Sequence, residues 1–328
     1  METWLQRLGG GKNVKLFYFA GSYMRRLIPR RWLMLRRRAI LDRLRRRPDF
    51  PDIKRRIDYY CRFTAGQLTD KAQLIGGKQQ FEYCAKVYLL DSEEARRYFP
   101  KHLRWQMTPG DNTAAHTSPT VVKSRPIADG ESFDVLLKLN RVRHFIFLHD
   151  RVRWEDKKPI ALFRGRIGRQ MRRLEFIRRF DGSELVDAGC IDLPEGVEPH
   201  LQREKMTLYE HFRYRYIVCL EGNDVASNLK WAMHSHSAVI MPRPRHETWF
   251  MEGRLIPGVH YIEIRDDYSD VEEKIRYYNA HPDEARAISR NAREWTEQFR
   301  NRRLERHIAV AVMHNYLVRT GQLNEAEI

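Results

Sequence analysis

The sequence of 328 residues lacks most of the short signatures that would settle its function at sight. Its four cysteines, Cys61, Cys84, Cys190 and Cys219, show no CxxC spacing. That argues against a zinc ribbon or a disulfide framework and predicts reduced structural thiols in a reducing compartment. No apolar stretch approaches the roughly 20 residues that cross a bilayer, and the start of the chain lacks the uninterrupted apolar core of a secretion signal. A cytoplasmic protein is therefore expected. A GxSxG nucleophile signature is absent, and no DxD occurs anywhere. His234 and His236 form an HxH pair without a third ligand at suitable spacing, so no metal is expected and the pair reads as helix-end residues. Acidic residues are also in deficit, 43 Asp and Glu against 60 Lys and Arg, for a formal net charge of +17.

Such a balance implies an anionic partner: nucleic acid, a phospholipid surface or a phosphorylated substrate. The excess is concentrated at the start, where residues 1–62 hold 18 Lys and Arg against five Asp and Glu. Residues 16–47, "LFYFAGSYMRRLIPRRWLMLRRRAILDRLRRR", interleave arginine with Leu, Phe, Tyr, Trp and Ile. That is the composition of a segment lying on an anionic membrane surface, the plainer reading being a solvated basic arm. A nucleic-acid-binding protein is the alternative of another class, but no helix-turn-helix, zinc or RNA-sheet signature supports it.

After Pro48 short apolar runs alternate with helix-like runs, the pattern of a wound α/β protein. Strands are expected at 86–90, 120–124, 133–139, 144–150, 159–165, 216–222, 237–242 and 259–264. Helices are expected from Ser269, as a cap, and along 281–320, which carries apolar groups at helical spacing. Residues 107–120, "MTPGDNTAAHTSPT", read as a loop. "RWEDKKP" suggests a boundary near 155. The expected organisation is a basic segment 1–47 for membrane or acceptor binding, domains 48–155 and 156–300, and a C-terminal helix 301–328.

Four stretches could carry chemistry. "ALFRGRIGRQMRR" (161–173) runs a strand into a glycine turn with Arg164, Gly165, Arg166, Arg169, Arg172 and Arg173. A fork of guanidinium donors matches the oxygens of a phosphate or diphosphate. It is neither a Walker loop nor GxGxxG, and a surface turn with solvated arginines is the plain alternative. "YIVCLEGNDVASNLKWAMHS" (216–235) reads as a buried parallel strand turning through Val225, Ala226 and Ser227 into a helix capped by Ser227 or Asn228. An anion would be favoured at that helix start beside Lys230, a plain core helix being the alternative. In 241–261, Glu247 and Glu252 could accept the hydroxyls of a ribose, or make loop salt bridges. Asp111 in "TPGDNT" would by itself be read as a turn former.

Taken in order, "FRGRIGRQMRR", "YRYIVCLEGNDVASNLKW", "SAVIMPR", "LIPGVHYIEIRDDYSDVEEKIRYY" and "ARAISRNAREW" resemble glycosyltransferase family 90. That family contains the lipopolysaccharide A proteins of bacteria, capsule-associated proteins of fungi and protein O-glucosyltransferases of animals. "IKRRIDYYCRF" and "TVVKSRPI" look like the bacterial lipopolysaccharide branch. The resemblance implies an α/β fold of GT-B type, two Rossmann-like domains facing a cleft, here with a basic helical N-terminal segment and long C-terminal helices. It implies inverting, metal-independent transfer from a UDP-sugar to a lipopolysaccharide or lipooligosaccharide core acceptor, at the inner face of the cytoplasmic membrane, with no nucleic acid involved. A capsular polysaccharide or protein hydroxyl is the alternative acceptor. By resemblance the base is Asp111, with Asp150 as competitor. The donor positions are Arg164, Gly165, Arg166, Arg172, Arg173, Val225, Ala226, Ser227 and Lys230, with Glu247 or Glu252. One departure stands out: the animal enzymes read Ser-x-Arg-x-Lys where this chain has Ser227-Asn228-Leu229-Lys230, one residue shorter and without the arginine.

Overall fold

A computed structural model describes residues 9–81, 85–168 and 170–328. Cys84, Arg169 and the first eight residues of the basic segment lie outside the described residues. The helices, in chain order, are α1 (Lys15–Arg26), α2 (Arg30–Arg45), α3 (Phe50–Tyr60), α4 (Lys86–Arg96), α5 (Arg141–His144), α6 (Met171–Arg179), α7 (Leu208–His211), α8 (Leu229–Met233), α9 (Val271–Ala280), α10 (Pro282–Glu297) and α11 (Arg302–Arg319). The strands are β1 (Gln73–Leu74), β2 (Arg104–Trp105), β3 (Met107–Thr108), β4 (Thr120–Val122), β5 (Ser124–Pro126), β6 (Asp134–Leu136), β7 (Lys158–Gly165), β8 (Val186–Cys190), β9 (Tyr214–Val218), β10 (Ala238–Met241), β11 (His246–Thr248) and β12 (Ile262–Glu263).

Contacts divide the chain into two compact units. One, the sheet unit, comprises Met1–Val14, Arg143–Pro244 and Gly253–Gln298. The other, the helical unit, comprises Lys15–Val142, Arg245–Glu252 and Phe299–Ile328. The division therefore falls at 142/143 where the sequence suggested 155, and the chain returns twice to the helical unit. The first return is made by β11, which pairs antiparallel with β5, and the second by α11.

The sheet unit is built on five parallel strands in the order β12-β10-β9-β7-β8. All four residues of β10 and four of five in β9 are buried, as expected of strands covered on both faces and read in sequence as continuous apolar runs. In chain order the strands stand 2-1-3-4-5, so the winding reverses between β7 and β9, and ligands of such sheets bind at the carboxyl ends beside that reversal. Helix α10 starts on Pro282 with Asp283 and Glu284 in its first turn, where a fixed φ and negative charge suit the exposed N–H groups. Ser269 is not the cap of α9; Asp270 holds that position, its carboxylate accepting from the Arg265 amide at 2.9 Å.

The helical unit packs around α11, whose residues 308–317 are all buried. A helix apolar all round belongs in a core, and α2, α3 and α4 supply its walls. Glu305 on α11 is buried and accepts from Arg56 at 2.8 Å, Lys138 at 3.0 Å and the Trp249 indole at 2.6 Å, while the Tyr60 ring stacks on Trp249 at 3.9 Å. From Lys15 onward the basic start is part of this unit and not a loose arm. Leu33, Ile40, Leu41 and Leu44 of α2 are buried, and Arg37 reaches His314 at 3.1 Å and Glu325 at 2.6 Å. A three-stranded parallel sheet, β3-β4-β6, completes the unit.

Two expected strands are not strands. Residues 86–90 open helix α4, because the run continues into the helix formers Glu93, Glu94, Ala95 and Arg96, and the buried face extends through Asp91, Ser92, Ala95 and Arg96. Residues 144–150 keep the alternating burial of a strand, with His144, Ile146, Leu148 and Asp150 inside, but join no ladder. Periodicity reports burial, and here burial occurs without pairing.

Candidate active site

The arginine turn after β7 and the buried strand β9 meet at the reversal point of the sheet unit. The turn leaves β7 at Gly165 and folds back at Gly168, whose φ of +55° is costly for other residues. Arg173 then binds the two loops together: Nη1 donates to the Arg166 carbonyl (2.9 Å), Nη2 to the Leu220 carbonyl (2.8 Å) and Nε to the Glu221 carbonyl (3.2 Å). Gln170 adds a bond to Asn223 at 2.6 Å. Burial holds the Arg173 guanidinium below its ordinary value, and a cation this enclosed serves here as a clamp on carbonyls.

The arginines thus separate into two classes. Arg164 is enclosed, donating to Asp187 Oδ1 (2.6 Å) and to the Asp187 carbonyl (3.0 Å), while Tyr214 holds the other oxygen of Asp187 at 2.9 Å. It braces β7 against β8 and β9, and its Nε is buried with no protein acceptor. Arg166 is 77% exposed, with Asp192 no nearer than 3.6 Å, and half-exposed Arg172 has Asp266 at 3.8 Å. These two extend from the turn on weak pairings.

After β9 the chain passes Val225 and Ala226, both buried, and partly exposed Ser227 before entering α8. The capping position is Asn228, but its amide turns back to the Val218 carbonyl (3.0 Å), and α8 spans only Leu229–Met233. A helix so short offers a weak dipole. Lys230 is fully buried, and its ammonium and the Arg173 guanidinium both lie by the Cys219 thiol, which burial pushes well above its usual range. Cys61, Cys190 and Cys219 are buried and free. The HxH pair is divided between separate partners, His234 facing Thr296 Oγ1 (2.7 Å) and His236 the Val152 carbonyl (3.2 Å).

Asp150, also in this unit, is enclosed. Its side chain is 1% exposed; Oδ2 accepts from Lys157 Nζ (2.8 Å) and the His236 amide (2.8 Å), and Oδ1 from the Val152 amide (2.9 Å). Burial lowers the Lys157 ammonium and Asp150 opposes the shift. Such a carboxylate holds structure and offers little to a hydroxyl arriving from solvent.

In the helical unit Asp111 stands beyond the carboxyl end of β3, in the loop 109–119, with its side chain 27% exposed and paired to buried Lys123. The Asn112 amide lies against Ser124 Oγ at 3.3 Å. The same loop carries a feature that sequence reasoning missed. His116 Nε2 meets Thr108 Oγ1 at 2.8 Å and Nδ1 meets Asp134 Oδ1 at 2.5 Å, a Thr-His-Asp series across the mouth of the sheet β3-β4-β6. His116 stood in the sequence as one more loop residue, since Asp134 is 18 positions away on the next strand but one.

Glu247 and Glu252, expected at a ribose, both belong to the helical unit and are engaged by protein donors. Glu247 on β11 accepts from Arg125 (2.8 Å), Arg62 (3.3 Å) and the Tyr59 hydroxyl. Glu252 accepts from the Thr248 amide (2.6 Å) and hydroxyl (3.0 Å). These are structural carboxylates. The pairing of β11 with β5 draws them into a core that no sequence spacing announces.

Residues 139–316 match the family model "Glycosyl transferase family 90". The chain is 39% identical over 293 residues to the O-glucosyltransferase LpsA of Dichelobacter nodosus, covering 88% of this chain and 91% of that protein. It is 29% identical over 141 residues to Protein O-glucosyltransferase 3 of Rattus norvegicus, and 28% identical over 145 residues to Protein O-glucosyltransferase 2 of Danio rerio. Each of these covers 42% of this chain, and the match spans only 27% and 28% of the respective animal protein.

Proposed function

The chain belongs to glycosyl transferase family 90 and is a glycosyltransferase, and on that footing we propose that it moves one sugar from a UDP-sugar to a lipopolysaccharide or lipooligosaccharide core, with inversion and without a metal. The observation that supports this reading is the cluster of cations at the carboxyl ends of β7 and β9, where weakly paired Arg166 and Arg172 accompany buried Lys230 and Arg173. The fold in this proposal is of GT-B type, with the donor held by the sheet unit. A glucosyl donor is the first to try, since the relatives in bacteria and animals are named glucosyltransferases. The place of action is the cytoplasmic face of the membrane. No helix among the described residues is long and apolar enough to cross one.

In the proposed step the acceptor oxygen attacks the anomeric carbon, its proton passes to a carboxylate oxygen of Asp111, and the bond from that carbon to the diphosphate breaks. The negative charge on the departing UDP is met by the accessible Arg166 and Arg172, and buried Lys230 adds positive charge without touching it. Lys123 fixes the direction of the Asp111 carboxylate. Glu247, Glu252 and Asp150 take no part.

A second acceptor, a protein hydroxyl, is favoured by the names of the animal relatives alone. The test is incubation of the purified protein with UDP-glucose and either deglucosylated lipooligosaccharide or a folded protein acceptor, with products read by mass spectrometry. One added hexose on the lipid supports the reading; hexose on the protein alone moves the acceptor. Absence of UDP binding by titration calorimetry, together with absence of product, overturns it.

A further inference from the structure

Helix α1 is amphipathic in the reverse of the usual sense. Its polar side faces the protein: the Tyr18 hydroxyl donates to Asp91 (2.7 Å), Arg25 pairs with Glu94 (2.9 Å) and Arg26 makes two 2.8 Å bonds to Glu93, all on α4. Arg97 then donates to the carbonyls of Arg25 (2.6 Å), Arg26 (3.2 Å) and Ile28 (2.5 Å), collecting the last acceptors of α1. Its apolar side faces water. Leu16, Phe17, Ala20, Tyr23, Met24 and, just past the helix, Leu27 are all exposed, and at helical spacing they share an arc of about 120°.

Helix α2 continues the pattern. Trp32, Leu35 and Ala39 form an exposed stripe, with Arg31 and Arg38 along one edge and Arg36 and Arg43 along the other, the Arg36 guanidinium lying 3.9 Å over the Trp32 ring. Leu27 and Leu35 are each 80% exposed. Seven of the twelve large hydrophobic side chains exposed among the described residues fall between 16 and 35, so the clustering is not the ordinary scatter of a soluble surface. Among the described residues, Arg31, Arg36, Arg38 and Arg43 make no ion pair.

We propose that this face of α1 and α2 seats on an anionic lipid bilayer, with Leu16, Met24, Leu27 and Leu35 entering the acyl boundary. Trp32 sits at headgroup depth, and the arginines of α2 meet the lipid phosphates. An apolar stripe flanked by arginine, with an aromatic residue at its border, is the construction of a helix lying in the interface plane. A second copy of the chain is a poorer occupant, because the face would bring its unpaired arginines against their own duplicates. The inference deepens the reading of a lipid-borne acceptor and depends on it for its purpose, yet it is measured without any sugar.

Because the basic start is built into the helical unit, its deletion would damage the fold, so the test uses surface substitutions in the full chain. The wild type and the Leu27→Ser/Leu35→Ser variant are sedimented with phosphatidylcholine vesicles, with and without phosphatidylglycerol, and their folding is compared by circular dichroism. The wild type should bind only the phosphatidylglycerol vesicles and be released by salt. The folded variant should bind them at least about tenfold more weakly, and Arg36→Gln/Arg38→Gln should weaken binding by a similar factor. Wild-type binding that is absent, indifferent to lipid charge or unchanged in the leucine variant overturns the proposal. So does association of the free chain in analytical ultracentrifugation that the leucine substitutions abolish. UDP titration of the same preparations separates this failure from a failure of the transferase reading.

Discussion

Replacing each of the two aspartates by asparagine should produce losses of different kinds. The Asp111 side chain is accessible and meets Lys123, whereas Asp150 accepts from one buried ammonium and two backbone amides. In Asp111→Asn a proton acceptor disappears while shape is kept. Transfer should fall about 10²- to 10⁴-fold, with the dissociation constant for UDP unchanged. Stability should fall only about 1–2 kcal/mol, as Lys123 exchanges a charged partner for a neutral one. In Asp150→Asn the Lys157 ammonium, also held by the Phe212 carbonyl, is left inside without its counter-charge. Breaking a buried pair in this way costs about 3–5 kcal/mol, a large part of the roughly 5–15 kcal/mol that holds a domain folded. The assays are urea denaturation, UDP calorimetry and initial rates normalised to the folded fraction. Folded Asp150→Asn should transfer sugar at close to the wild-type rate. The reasoning is refuted if Asp150→Asn unfolds at the wild-type urea concentration yet is inactive, or if Asp111→Asn keeps its rate.

Arg166→Ala and Arg172→Ala should each weaken UDP binding about tenfold or more, the worth of a charge-assisted hydrogen bond, without moving the unfolding midpoint, since their carboxylate partners are 3.6 and 3.8 Å away and exposed. Glu305→Ala should cost about 3–5 kcal/mol in urea unfolding, because Arg56 and Lys138 would remain buried without a counter-charge. Burial, followed by Arg303, Arg43, Arg306 and Arg47, pushes His307 down from 6.5 to about 4. With the folded value below the unfolded one, the neutral ring's contribution is fully present above pH 6.5 and is lost as pH falls toward 4. Since the ring is partly exposed the loss is on the order of 1 kcal/mol, and His307→Asn should flatten the urea midpoint against pH across that window. Transfer rates should be unchanged by a chelator.

The meeting of β7, its glycine turn and β9 was legible because its parts are local. A strand, a glycine turn and a second strand each leave a contiguous trace, and their register follows from winding rules that need no distant information. Glu247 was misjudged for the opposite reason. It lies only six residues past β10, but β11 crosses into the helical unit, and the partners that fix its carboxylate are Tyr59, Arg62 and Arg125. His116 was invisible for the same reason, its meaning depending on Asp134 and Thr108. Residues 86–90 failed at a smaller scale, where the four apolar and aromatic residues after Lys86 fit a strand until the helix formers beyond them are given weight.

The net charge of +17 looked like a map of what the protein binds, and most of its arginines are occupied otherwise. Arg30 donates to the carbonyls of Arg96 (3.1 Å) and Phe99 (2.7 Å), Arg97 to those closing α1, Arg173 to Leu220 and Glu221, and Arg319 to Cys61 (2.5 Å) and Phe63 (3.0 Å). A guanidinium suits this use because its planar fork reaches two or three acceptors at once where the chain leaves a helix or strand. Such arginines satisfy the backbone and carry no information about partners. Among those with weak or absent carboxylates are Arg166 on the turn after β7, Arg172 at the start of α6, and Arg31, Arg36, Arg38 and Arg43 on α2. They fall into two groups, one in each compact unit, each beside a different exposed surface. With the diphosphate proposed for the first group and lipid phosphates for the second, reversing the charge of one group should leave binding by the other unaffected.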